Sequence, residues 1–91
     1  MNIITIDCTG ITSEPDFWRT YLHAAKPSGG HLFGCNLDAF RDAVTGGPGW
    51  PGECQLSFVN TESLRGINDG RLYQGIKSIA AISSAVSIRI G

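Results

Sequence analysis

Cys54-Gln55-Leu56-Ser57-Phe58-Val59 alternates apolar with polar side chains, Leu56 and Phe58 falling to one side and Gln55 and Ser57 to the other. Successive side chains of a strand point to opposite faces, so this is a strand with one covered face and one bare face. The alternation returns near the end of the chain, where Val86, Ile88 and Ile90 are separated by Ser87 and Arg89. A third apolar run, Ile3 to Asp7, is rich in β-branched residues and reads as an opening strand.

Helical signals fill the intervals. Ser13-Glu14-Pro15-Asp16 combines a capping serine, a proline suited to the first turn and an acid three residues after the cap. The helix it opens runs to about Ala25, with Phe17, Trp18, Tyr21, Leu22 and Ala25 on its apolar face and His23 facing water. Asn36 caps a second helix whose buried stripe is Leu37, Phe40 and Val44, and which stops at Thr45 before Gly46-Gly47-Pro48. Gly46 to Gly52 is a loop around Trp50. After the central strand come a helical turn near Glu62–Ile67, an Asn68-Asp69-Gly70 turn, and a third helix marked by Leu72, Ile76, Ile79 and Ala80, ending near Ser84.

The order is β-α-α-β-α-β. Strands separated by helices pair in parallel through right-handed crossovers. Because the strand alternation leaves one face bare, the helices share the other and each crossover steps the same way. The expected fold is therefore α/β, a two-layer sandwich: a three-stranded parallel sheet in order 1-2-3 with helices packed on one face, forming a single domain over residues 1–91.

Hydrophobic content of 42% against 16% charged residues suits a globular domain and excludes a disordered chain. The net charge of −1 carries no nucleic-acid footprint. It is unevenly spread, however. Asp7, Glu14, Asp16, Asp38 and Asp42 outweigh Arg19, Lys26 and Arg41 in residues 1–46, whereas Arg65, Arg71, Lys77 and Arg89 outweigh Glu53, Glu62 and Asp69 in the remainder. Cys8, Cys35 and Cys54 are an odd set without a close pair, which points to reduced thiols rather than a disulfide framework or a zinc site. The start lacks the basic, then apolar, pattern of a signal peptide, and no run approaches a membrane span. The expectation is a cytoplasmic protein with no membrane association, no metal and no cofactor.

Asp38 and Asp42 carry the functional signal. Four apart, they project together, roughly opposite the Leu37/Phe40/Val44 stripe. Asp38 suits the first turn of its helix and has Arg41 three residues on as a possible ion-pair partner. Asp42 has no such excuse: it sits in the last turns, where the dipole disfavours an anion, and it repels Asp38. No lysine or arginine stands three or four residues from it on either side. A local rule broken without local compensation is where function tends to sit, although a solvated surface carboxylate is the plainer alternative.

The surrounding segment, Leu32-Phe33-Gly34-Cys35-Asn36-Leu37-Asp38-Ala39-Phe40-Arg41-Asp42-Ala43-Val44-Thr45-Gly46, strongly resembles the central segment of the barstar family, intracellular inhibitors of small secreted bacterial ribonucleases. Phe33, Gly34, Asn36, Leu37, Asp38, Ala39, Asp42, Thr45 and Gly46 stand in register with the family pattern, and the succession of elements agrees along essentially the whole chain. The resemblance implies an inhibitor that inserts this helix and the preceding loop into the active site of a guanyl-specific ribonuclease. Asp42 would take the place of the substrate phosphate, among the nuclease's arginines and catalytic histidine, with Asp38 as its acidic neighbour. Gly34 and Asn36 would shape the loop for close approach, and Thr45 and Gly46 would flank the contact, so the implied partner-binding set is Leu32, Phe33, Gly34, Asn36, Asp38, Ala39, Arg41, Asp42, Thr45 and Gly46. The implied partner is a small secreted microbial ribonuclease, bound one-to-one by a protein that is monomeric when free.

The chain also departs from the family pattern. Leu32 stands where an aromatic is frequent, and Arg41 puts a cation in place of an apolar or aromatic contact. Ser78 stands where an acidic interface residue is expected, and Trp50 lies in a lengthened loop. These differences leave room for a second reading, a barstar-like immunity or adaptor domain with another protein target.

An enzyme is not expected. His23 lies on a wet helix face and His31 in a Gly-rich loop, where a rim contact suits it better than chemistry; neither has triad or ligand spacing. Cys35 precedes a helix N-terminus, where a thiol can gain reactivity, but an unreactive loop cysteine is the simpler reading. Gly46-Gly47-Pro48-Gly49 lacks the lysine and hydroxyl of a phosphate loop. Trp18, Tyr21 and Tyr73 have core spacing.

Overall fold

Three strands form where the alternation places them: β1 (Asn2–Asp7), β2 (Cys54–Val59) and β3 (Val86–Ile90). The computed structural model, which describes residues 2–27, 29 and 33–90, pairs them in parallel in the order β1-β2-β3. Ile6 is level with Phe58 and Ile90, and Ile4 with Leu56 and Ile88, so one face collects the apolar side chains. The other collects Ile3, Gln55 and Ser87 in one row and Thr5, Ser57 and Arg89 in the next. Cys54, Leu56 and Phe58 are buried while Ile3 is 60% exposed, so the sheet has one covered face and one bare face, as the two-layer reading requires.

The helices are α1 (Glu14–Ala25), α2 (Leu37–Val44) and α3 (Arg71–Ile82), with a 3₁₀ segment over Thr61–Gly70 before α3. At the start of α1 the Ser13 hydroxyl accepts from the Asp16 N–H at 3.4 Å. The Asp16 carboxylate does not reach back to complete a capping box; it pairs with Arg19 at 2.7 Å instead. The 3₁₀ segment breaks at Ile67 to Asp69, and Asn68, Asp69 and Gly70 take positive φ values of 52°, 57° and 86°, making the expected turn. Helix α3 ends at Ile82, two residues earlier than expected, because Ser83 is already extended while its N–H still caps the Ile79 carbonyl.

Aromatic rings join the layers. Trp18 of α1 lies 5.7 Å from Phe40 of α2, Tyr21 lies 5.4 Å from Phe40, and Phe17 stacks on Phe58 of β2 at 5.6 Å. Such rings are among the largest contributors of buried area in a chain this short. Trp18 donates its indole N–H to Glu14 at 2.9 Å, and Asn68 donates to the same carboxylate at 2.6 Å, tying α1 to the turn before α3. Tyr21 and Tyr73 are buried as expected, and burial pushes the Tyr21 phenol well above its ordinary value. Cys8 and Cys54 are buried free thiols; burial raises both, Cys8 to about 11, which keeps them protonated and unreactive.

Candidate partner-binding site

The site is built from a loop, a helix and a turn. Phe33 ends the described part of the loop before α2 and is only 7% exposed, with its ring 5.6 Å from Trp18 and 5.8 Å from Tyr21. A large ring beside an aromatic cluster gains more by burial than by exposure. Its role is to fasten the loop to the core. Two residues later Cys35 takes a left-handed φ of 53°, which turns the chain into the helix. Asn36 then caps α2 as expected, its side-chain oxygen accepting from the Ala39 N–H at 2.7 Å while its amide donates to the Gly34 carbonyl at 3.2 Å. Loop and helix thus share one side chain.

Phe40, Ala43 and Val44 bury the inner face of α2. Asp38 and Asp42 are exposed on the outer face. Neither carboxylate has a hydrogen bond or ion pair among the described residues, and the Asp38–Arg41 pair that their spacing allows is not formed; Arg41 is exposed as well. The main chain of Asp42, by contrast, is held firmly. Its carbonyl accepts from the Gly47 N–H at 2.7 Å, the Thr45 N–H at 3.2 Å and the Thr45 hydroxyl at 3.1 Å. A mobile backbone would blunt an exposed charge, whereas here the charge is carried on a fixed stem.

Two residues beyond the expected set matter to this geometry. A Cβ on Gly47 would stand 2.8 Å from the Asp42 carbonyl oxygen, so only glycine allows the close turn. Pro48 joins Gly34, Ala39 and Asp42 in lining a concavity of about 210 Å³ beside the acid. The signal was present as a second glycine and a proline after Gly46, more turn chemistry than a helix stop needs. Thr45 and Gly46 follow the acid at the end of α2, both exposed, with Gly46 at a φ of 108°. Trp50 is half-buried against the core, with its N–H on the Gly47 carbonyl at 3.1 Å. Leu32 and His31 lie outside the described residues.

His23 is exposed on α1, and Cys35 is exposed with its thiol directed at the Phe33 carbonyl at 3.8 Å. Among the described residues no cluster of His, Cys, Asp or Glu could hold a metal ion, and no helix is long and apolar enough to cross a membrane.

A family model described as Barstar (barnase inhibitor) matches residues 1–85, a span that contains β1, all three helices, β2 and the acid-bearing loop and helix and stops one residue short of β3. A comparison with curated proteins returns no match. A match over that span is decisive: the chain belongs to the barstar family.

Proposed function

We propose that this protein inhibits a small secreted microbial ribonuclease, of the guanyl-specific kind, by covering its active site one-to-one with α2 and the loop before it. The observation that carries the reading is the pair of exposed carboxylates, Asp38 and Asp42, without partners among the described residues and standing on a helix whose inner face and main chain are fixed. Asp42 takes the place of the RNA phosphate among the nuclease's cations, and Asp38 supports it. Gly34, Asn36, Ala39, Thr45 and Gly46 let the backbone come close. An inhibitor of a secreted nuclease protects the cell that makes it, so the site of action is the cytoplasm. The chain performs no catalysis of its own in this reading.

Titration of barnase with the protein, reading RNA cleavage, tests the proposal. Stoichiometric inhibition is the expected result. Asp42→Ala should weaken binding by at least about 2 kcal/mol, the general threshold for an interface hot spot, among whose measured cases this family already counts. The cost arises because the nuclease's cations are left buried without a counter-charge. In the free protein the same substitution removes an anion from the wrong end of a helix and from beside Asp38, so stability should hold or rise by a few tenths (about 0.3 kcal/mol) in urea denaturation. Undiminished inhibition by Asp42→Ala would end the phosphate-mimic role, and unfolding of the variant would make Asp42 a structural residue.

A further inference from the structure

The acids share the outer face of α2 with a cation. Arg41 is exposed, about 60° around the helix from Asp38. It stands on the shoulder nearer Leu37, the residue that rests on Gly75 of α3. Asp42 stands on the opposite shoulder, beside the concavity it shares with Gly34, Ala39 and Pro48. Arg41 makes no ion pair among the described residues, although Asp38 is three residues away. The cationic character continues beyond the seam. Helix α3 holds no acid from Arg71 to Ile82, and its exposed residues include Arg71, Gln74, Lys77 and Ser78. Arg71 and Leu37 line a common concavity that also holds two carboxylates, Asp69 and Glu14, the latter bonded by the neutral donors of Trp18 and Asn68, so the cation of the α2 face itself is Arg41. The outer face of α2 is therefore divided, with the carboxylate of Asp42 toward the Gly34–Pro48 side and the guanidinium of Arg41 toward α3.

A surface that offered only cations would suit Asp38 and Asp42 and be repelled by Arg41. From this division we infer that the partner of this chain carries a carboxylate beside the cations that receive Asp38 and Asp42, and that Arg41 selects for it. The inference rests on the inhibitor reading above. A guanidinium can grip a carboxylate with two parallel N–H donors, which ties its energy to a matching geometry. On a partner with an apolar or basic residue at that place, docking strips water from Arg41 and returns nothing, so the same side chain also rejects the wrong nuclease. The competing account is that Arg41 only complements the dipole in the last turn of α2. That account affects folding alone and is blind to the partner's sequence.

The experiment is a carboxylate scan of barnase, each exposed residue around its active-site mouth replaced in turn by Asp. Every variant is titrated calorimetrically with the parent chain, Arg41→Ala, Arg41→Glu and Asp42→Ala, and the urea midpoint of each chain is recorded. At one or two neighbouring positions the added Asp should tighten the parent about tenfold, leave Arg41→Ala within about twofold, and weaken Arg41→Glu about tenfold. A stability effect of the Arg41 substitutions would be common to all the nuclease variants and cancels in this comparison. If binding depends on Asp42 but the scan profiles of the parent and Arg41→Ala superimpose, Arg41 selects nothing and the inhibitor reading stands. If no pairing binds, or binding is indifferent to Asp42, the inhibitor reading falls and the inference falls with it.

Discussion

Asp7 closes the ends of two strands with one carboxylate oxygen. The Thr9 hydroxyl donates to it at 2.7 Å, the Thr9 N–H at 3.0 Å and the Asn60 amide at 3.0 Å. These hydrogen bonds, the Thr9 hydroxyl first and Asn60 next, favour the anion and hold the group at about 2, below the ordinary 3.8. A depressed folded-state value means that the contribution is fully present above the unfolded value and is lost as pH falls from near 4 toward 2. Urea unfolding across that window should show the parent losing stability more steeply than Asp7→Asn, and coincident slopes would remove Asp7 from the account. Asn36 offers a second test. Its replacement by alanine removes both the α2 cap and the link to Gly34, so it should cost about 1 kcal/mol of stability and weaken inhibition as well. Asp38 differs from Asp42 in that its first-turn position is favourable. Asp38→Ala should therefore lose a few tenths (about 0.5 kcal/mol) of stability and less binding than Asp42→Ala. The outward projection of both acids was legible because helical spacing alone sets it. The unmade Asp38–Arg41 pair was not, since spacing permits a contact without compelling it.

Helix α2 is positioned by its contact with α3 as well as by the core. A Cβ on Gly75 would come within 2.5 Å of Leu37 Cδ1 and 3.2 Å of its Cγ, so an added side chain there has to displace Leu37. Glycine inside a helix costs about 1 kcal/mol against alanine, which is why a mid-helix glycine signals a close approach. Gly75→Ala should consequently behave differently in two backgrounds. With Leu37→Ala present it should stabilise by up to about 1 kcal/mol, through propensity alone. In the parent the displaced Leu37 should cancel or reverse that gain, and the difference, read as a double-mutant cycle, should exceed about 0.5 kcal/mol. An additive cycle would show that Leu37 moves aside freely and that α2 takes its position from Phe40 and Val44. Sequence patterns located α2 well, from the Asn36 cap to the Thr45 stop, because caps and stops are local chemistry. They did not reveal that Leu37 lies against Gly75 of α3, because that depends on which helix lies opposite.

Net charge and its distribution govern how the protein meets a partner. At −1, with Arg41 beside the acids, long-range attraction to a basic nuclease is weak. The association rate should fall by less than about tenfold between low and physiological salt. A fall of two decades would mean that the local field of Asp38 and Asp42 outweighs the net charge. Sedimentation should find a monomer in isolation, because Asp38 and Asp42 outnumber Arg41 on the exposed face of α2 and leave it without a self-complementary charge pattern; a tight dimer through α2 would contradict this. Element order, parallel pairing and the 1-2-3 sheet followed from the sequence because they rest on short-range rules: side-chain period, capping and the fixed hand of crossovers. The acid pair on an outer helix face followed for the same reason. Tertiary structure alone decided that Phe33 turns into the Trp18–Tyr21 cluster, that Gly75 admits Leu37, and that Asp42 borders a concavity with Gly34 and Pro48. Each of these joins residues distant along the chain or from different elements, and their meeting depends on how the layers pack rather than on any local preference.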